Sequence, residues 1–278
     1  MNHLLVPGLF VMLSALLLGC DSVDSNEIDD LVVVEAFLFA GEPVTNIRLA
    51  EAIPLASEDS VAVPISDAAV YLVKEDVRYP LAPSDSVGYY HYPDTDLSVE
   101  AGDVFRLEVA YEGTSITAET VVPPAPTGVT LSSQTLEVAT FGGPGSGGGP
   151  PQVQNNALTV TWDNPSATLH YVVIESLVTG EPEYILPEFI RERFAGFRLI
   201  TSPTDAHFFD VNARALEVFG PHRAVVYRVN QEYADLYENR EQDSRDLNEP
   251  PTNVEGGLGV FSAFNSDVAA FEVVPADG

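Results

Sequence analysis

Apolar and polar residues alternate with a period of two along much of this chain, the spacing of strands that bury one face. The clearest run is Val104 to Tyr111, where Phe105, Leu107, Val109 and Tyr111 share one face and Arg106, Glu108 and Ala110 the other. Ala101-Gly102-Asp103 reads as a turn before it, and Glu112-Gly113 as a hairpin turn into a strand over Ser115 to Val122. The same pattern predicts strands at Leu31 to Phe39, Asn46 to Glu51, Ala68 to Lys74 and Gly88 to Tyr92. Short β-rich runs that recur roughly every ten residues between Gly, Pro, Asp and Ser point to an all-β fold of sandwich type.

Pro123-Pro124-Ala125-Pro126 interrupts this rhythm, because proline brings no amide donor to a ladder. The interruption divides the chain into two β-sandwich domains in tandem, residues 31–124 and 125–278. In the second, a strand is expected over Val129 to Thr140, then a Gly/Pro loop at 142–151, then strands at Ala157 to Asp163, His170 to Ser176 and Arg223 to Val229. Trp162, the sole tryptophan, suits a core anchor. Pro187 to Phe194 is compatible with one or two helical turns. A short helix near 231–241 is expected after Asn230, a favourable cap, with Tyr233, Leu236 and Tyr237 on the face that meets the second sheet.

The first thirty residues break the pattern. Leu4 to Leu18 is an apolar run shorter than the roughly 18 residues a membrane-spanning helix requires, and a small residue follows it, which is the anatomy of a secretory signal over 1–19. Its opening Met1-Asn2-His3 carries no Lys or Arg. Leu17-Leu18-Gly19-Cys20 resembles the lipobox of bacterial lipoproteins. That resemblance implies cleavage before Cys20, acylation of its sulfur and new amino group with chains such as palmitate, and attachment to a membrane through that lipid. Residues 20–30, rich in Asp and Ser, then read as a lipidated acidic tether with nothing to bury. With Cys20 as the one cysteine, an intramolecular disulfide is excluded.

Charge adds a second constraint. The formal net charge is −30, from 42 acidic against 12 basic residues, and Lys74 is the single lysine. The acid is spread along the chain, so it belongs to the whole surface; nucleic-acid binding is excluded. Acid in excess with lysine nearly absent resembles the proteins of salt-adapted organisms, while a calcium-loving surface is the alternative. Asp94, Asp96 and Glu100 alternate in a turn-rich stretch and are the cation candidates, but Val99 stands where a calcium loop needs glycine.

Other motifs carry less. Gly143-x-Gly145-x-x-Gly148 fits a dinucleotide fingerprint by spacing, but Pro150-Pro151 prevents the helix that would face a pyrophosphate. His91, His170, His207 and His222 lack metal-ligand spacing, with His91 and His170 expected at the surface or half-buried, and His207 near Asp210 is a weak dyad. No catalytic residue, metal or cofactor is assigned.

Several segments carry resemblances. Ser66 to Leu72, Gly88-Tyr89-Tyr90 and Glu100 to Asp103 resemble prealbumin-like or carboxypeptidase-regulatory-like sandwiches, and Trp162, Pro165 and the strand from His170 resemble a fibronectin type III sandwich. Glu249-Pro250-Pro251-Thr252-Asn253-Val254-Glu255-Gly256-Gly257-Leu258-Gly259-Val260-Phe261 closely resembles the end of bacterial lipoproteins of domain of unknown function family 4249. Leu31 to Ala36 and Val121 to Pro124 agree with that family. Physically, its glycines read as a tight bend into a final strand that carries Phe261 into a core.

The family resemblance implies a cell-envelope lipoprotein encoded near TonB-dependent outer-membrane receptors, with no catalytic residues to transfer. The expectation is a non-enzymatic binding or accessory lipoprotein, lipid-anchored at Cys20 in the outer membrane and facing outward, partnering such a receptor in nutrient uptake. A periplasm-facing placement is the alternative. An envelope hydrolase with a carboxylate site and a structural or adhesive surface module are the other readings.

Overall fold

A computed structural model describes residues 31–53, 61–138, 157–188, 191, 202–212, 216–238 and 252–276. In chain order the strands are β1 (Val32–Phe39), β2 (Asn46–Glu51), β3 (Ala69–Lys74), β4 (Val77–Pro83), β5 (Tyr89–His91), β6 (Val104–Tyr111) and β7 (Thr114–Val121). They continue with β8 (Thr127–Leu131), β9 (Thr135–Val138), β10 (Leu158–Asp163), β11 (His170–Ser176), β12 (Phe208–Val211) and β13 (Gly220–Arg228). Helix α1 (Gln231–Glu238) precedes β14 (Val254–Glu255) and β15 (Leu258–Pro275). The fold is all-β.

Alternation in sequence becomes alternation in burial. In β6 the predicted face is inside, with Phe105, Leu107 and Val109 buried and Tyr111 half-buried, while Arg106 and Ala110 are exposed. The turn into β7 has positive φ at both Glu112 and Gly113, the conformation that matches the twist of paired strands. Three predicted strands reproduce their boundaries, Asn46–Glu51, Val104–Tyr111 and His170–Ser176. The single strand expected over Val129 to Thr140 is instead two. β8 pairs with β10 and β9 with β15, because Ser133 closes its hydroxyl onto the Thr135 backbone and turns the chain between them.

Among the described residues the strands make a twelve-stranded sheet, ordered β11-β13-β15-β1-β2-β5-β4-β3-β6-β7-β14 with β9 beside β15, and a three-stranded sheet, β12-β10-β8. The large sheet curls. Its far strand β14 pairs with β7, and the chain then bends straight into β15, which pairs in parallel with β1 from Val33–Leu258 to Phe39–Phe264. Thus Val254, Phe261 and Ala263 pack in a first core with Val34, Leu49, Leu72 and Phe105.

The bend depends on glycine. A Cβ on Gly259 would lie 2.0 Å from the Val34 carbonyl oxygen, and φ there is +106°. Asn253 fixes the approach, since its carboxamide donates to the Phe261 and Glu119 carbonyls and accepts from the Phe261 amide. The glycine-rich element therefore closes a sheet, as its sequence suggests.

β15 then continues into a second core. Its outer half pairs antiparallel with β13, Val225 opposite Val268, and lies across from the three-stranded sheet. Trp162 is 3% exposed there, as expected of an anchor. His170, expected at the surface or half-buried, is 1% exposed: β11 turns it inward, 5.5 Å from Trp162, with Nδ1 on the Thr168 carbonyl. Burial lowers its pKa. His222 is buried too, stacked on Phe271.

Helix α1 covers the junction rather than the second sheet alone. Tyr233 meets Phe264 edge-on at 4.8 Å and Phe37 at 5.9 Å, so the helix seals a strip of aromatic rings where β1, β11, β13 and β15 run side by side. Asn230 donates its carboxamide nitrogen to the Thr120 hydroxyl and the Val121 carbonyl of β7, while its own backbone carbonyl accepts from the Ala234 amide of the helix. Cys20, the segment 1–30 and the loop 142–151 lie outside the described residues, as do residues 239–241 and, within Pro187 to Phe194, residues 189, 190 and 192–194. In that stretch Glu188 and Arg191 are helical and the Arg191 amide donates to the Pro187 carbonyl, one turn of the helix expected there.

Candidate functional site

The outer face of β1, β2 and β5 carries two adjoining depressions. Because side chains alternate, Val34, Ala36, Ile47 and Tyr90 enter the first core, and their neighbours Glu35, Phe37, Asn46, Arg48, Tyr89 and His91 face the other way. Register arranges these into two rows. Glu35 opposes Arg48, which opposes Tyr89; Phe37 opposes Asn46, and the same register puts His91 on Asn46's far side. A depression of about 610 Å³ is bounded by Thr45, Asn46, Tyr89, His91 and the Pro83–Ser86 loop. A second of about 230 Å³ adjoins it along Glu35, Phe37, Phe39 and Arg48, and the two share Asn46 and Tyr89.

Local structure holds this groove open. The loop from Ser84 to Gly88 is closed by the Ser84 amide on the Tyr89 carbonyl and the Tyr89 amide on the Ser86 carbonyl. Ser84 and Ser86 add a mutual hydroxyl–backbone pair. Gly88 makes the loop possible, with φ +80° and Pro64 Cβ 2.7 Å from where its own Cβ would stand. Beneath it Tyr90 is wholly buried, and its hydroxyl accepts from the Ala68 amide; burial raises its pKa. The Gly-x-Tyr element thus puts one tyrosine in the core and the other in the groove.

The groove's electrostatics are mild. Arg48 and Glu35 neutralise one another across 2.5 Å at a partly exposed site, where such a pair contributes about 1 kcal/mol at most. Asp85 is the one carboxylate bounding the larger depression. Among the described residues, the Asn46 carboxamide, the Asp85 carboxylate and the Tyr89 hydroxyl make no hydrogen bond, and His91 Nδ1 is shielded without a partner.

The sequence candidates lie elsewhere. Asp96 accepts from Tyr92 at 2.6 Å, which pushes that phenol's pKa up to about 12, and Asp94 is exposed. Glu100 donates its amide to Asp103, whose carboxylate also holds Lys74. Among the described residues no three His, Cys, Asp or Glu side chains gather where a metal ion could sit. Asp210 is held by Thr159 at 2.6 Å, and no described hydrogen bond joins it to His207. The lone lysine is structural: Lys74 reaches Asp103 and the Ser98 carbonyl and lies over the Phe105 ring.

Sequence reasoning did not pick out Asn46, Tyr89 or His91, since each is an ordinary outward residue of a strand. One signal was present in Val32 to Phe39, where Phe37 and Phe39 occupy outward positions normally left to polar groups. It marks a sheet face that is used on both sides.

A comparison against family models matches residues 21–269 to the family described as Domain of unknown function (DUF4249). No curated protein matches the chain.

Proposed function

The chain belongs to the family Domain of unknown function (DUF4249), and on that premise we propose that it is a non-enzymatic binding or accessory lipoprotein, anchored through Cys20 in the outer membrane and working beside a TonB-dependent receptor in nutrient uptake. The observation that supports this reading is the preformed groove on the outer face of β1, β2 and β5, whose unspent groups are amide, phenol, imidazole and carboxylate. Such a set recognises a ligand by hydrogen bonds and ring contacts. The net charge of −30 fits a protein whose surface is held in solution by acid and screened by salt.

Crosslinking of intact cells, followed by purification of the full chain from solubilised membranes, tests the partnership. Recovery with an outer-membrane receptor is expected, and recovery solely as free monomer overturns it. Metabolic labelling with palmitate tests the anchor, since label must disappear in Cys20→Ser; label that persists there places the lipid elsewhere. Protease shaving of intact cells tests the outward-facing placement: digestion is expected, and full protection overturns it. Melting across sodium chloride concentration tests salt adaptation, for which the midpoint must rise with salt.

A further inference from the structure

We propose that the groove over β1, β2 and β5 binds a neutral glycan chain, an inference that rests on the reading of this protein as a binding module. A sugar ring presents two kinds of surface, apolar C–H faces and a rim of hydroxyls, and its site must offer an aromatic face beside groups that both donate and accept. Tyr89 supplies the ring: it is 37% exposed on a sheet face, with Tyr90 beneath it locked in the core. Around it stand the rim partners. Asn46 brings a donor and an acceptor on one carboxamide, Asp85 accepts, and His91 lies in the row beside Tyr89, none of these side chains tied to another described residue.

Charge selects against the other ligands this groove could take. Arg48, the single cation in it, is neutralised by Glu35, and a surface of net charge −30 repels phosphates and carboxylates. A cationic peptide would need a cluster of acid, and the larger depression has Asp85 alone. Two adjoining depressions sharing Asn46 and Tyr89 give an elongated track, wider than a single ring requires, since three strands span about 10 Å. The loop above it is closed by its own hydrogen bonds, so little ordering accompanies binding.

The test is affinity electrophoresis of the full chain, in detergent, through gels containing dextran, mixed-linkage glucan, xylan or galactomannan. At least one of these should retard it, and raised sodium chloride should not abolish the effect. Tyr89→Ala and Asn46→Ala should each weaken binding roughly tenfold, while Tyr89→Phe retains it, because the ring face is kept. Melting curves of the variants show whether they fold; if Tyr89→Ala does not, Asn46→Ala decides. Retardation by none of the four overturns the proposal, as does retardation that survives both alanine variants or disappears with salt, the behaviour of a charged ligand. A receptor crosslink that persists while every glycan fails would remove the glycan and leave the accessory role standing; a bound glycan with no crosslink would do the reverse.

Discussion

The first core takes side chains from β1 to β7, β14 and the first part of β15, whereas the second is pressed between a three-stranded sheet and the other end of the large sheet, β9, β11, β13 and the outer half of the shared strand β15. In the first, the one buried phenol is satisfied, Tyr90 on the Ala68 amide. In the second, two imidazoles are buried and the Trp162 indole nitrogen has no partner among the described residues. A buried polar group without a partner costs about 1–3 kcal/mol. The difference is one of consistency. The first core is closed by hairpins and a glycine bend that all favour one arrangement, and it carries the groove on its back; the second tolerates polar groups and leans on β15 for its sheet.

Replacing Gly259 with valine strikes the first core hardest. It combines left-handed backbone with a clash against Val34, a cost of about 5 kcal/mol or more. Gly41→Ala, whose Cβ meets nothing, should cost about 1 kcal/mol, and urea unfolding followed by circular dichroism compares the two. Equal midpoints would refute the closure. Phe264→Ala removes the ring on which Tyr233 and Phe39 pack and should cost about 3–4 kcal/mol. Because Trp162 reports the second core, its fluorescence and circular dichroism should still change together; two separated transitions would show that the cores do not depend on β15 jointly.

Thr120→Val is a smaller probe of the junction, where the Thr120 and Ser262 hydroxyls both donate to Glu232. A loss of about 1–2 kcal/mol in urea is expected, and no loss would mean that the helix adds nothing there. The finest test is of pH. Burial holds His170 below its ordinary 6.5, so above that value both folded and unfolded forms are neutral. As pH falls below 6.5 the unfolded chain takes the proton first, and stability drops until the folded-state pKa is passed. The urea midpoint read by Trp162 fluorescence should therefore fall more for wild type than for His170→Phe between pH 8 and pH 5; parallel slopes would mean that His170 does not differ between the two states.

The first core was the more legible. Phe105, Leu107 and Val109 announced their face because β6 has one buried side, and Glu112-Gly113 announced the turn. β4 went unseen, since Val77 to Pro83 contains two prolines and exposes most of its residues. β15 was seen only as a final strand after the glycines, its length unread: Val260 to Phe264 is buried without a break, and a strand covered on both faces loses the alternation that identifies it. His170 was misjudged because a strand pattern gives two faces but not which one is covered by a second sheet. The groove was invisible for a related reason. Asn46, Tyr89 and His91 come together through pairing between β2 and β5, and no spacing along the chain encodes that register.

The parallel ladder between β1 and β15 bears on how the molecule meets mechanical force. β1 lies between β2 and β15, bonded to both along its length. Tension entering from the N-terminal side runs down the strand, and both ladders resist it together in shear instead of unzipping bond by bond. Pulled from that side in a force spectrometer, the protein should give one high-force rupture, and a low-force sequence of small steps would show that the ladders do not share the strain.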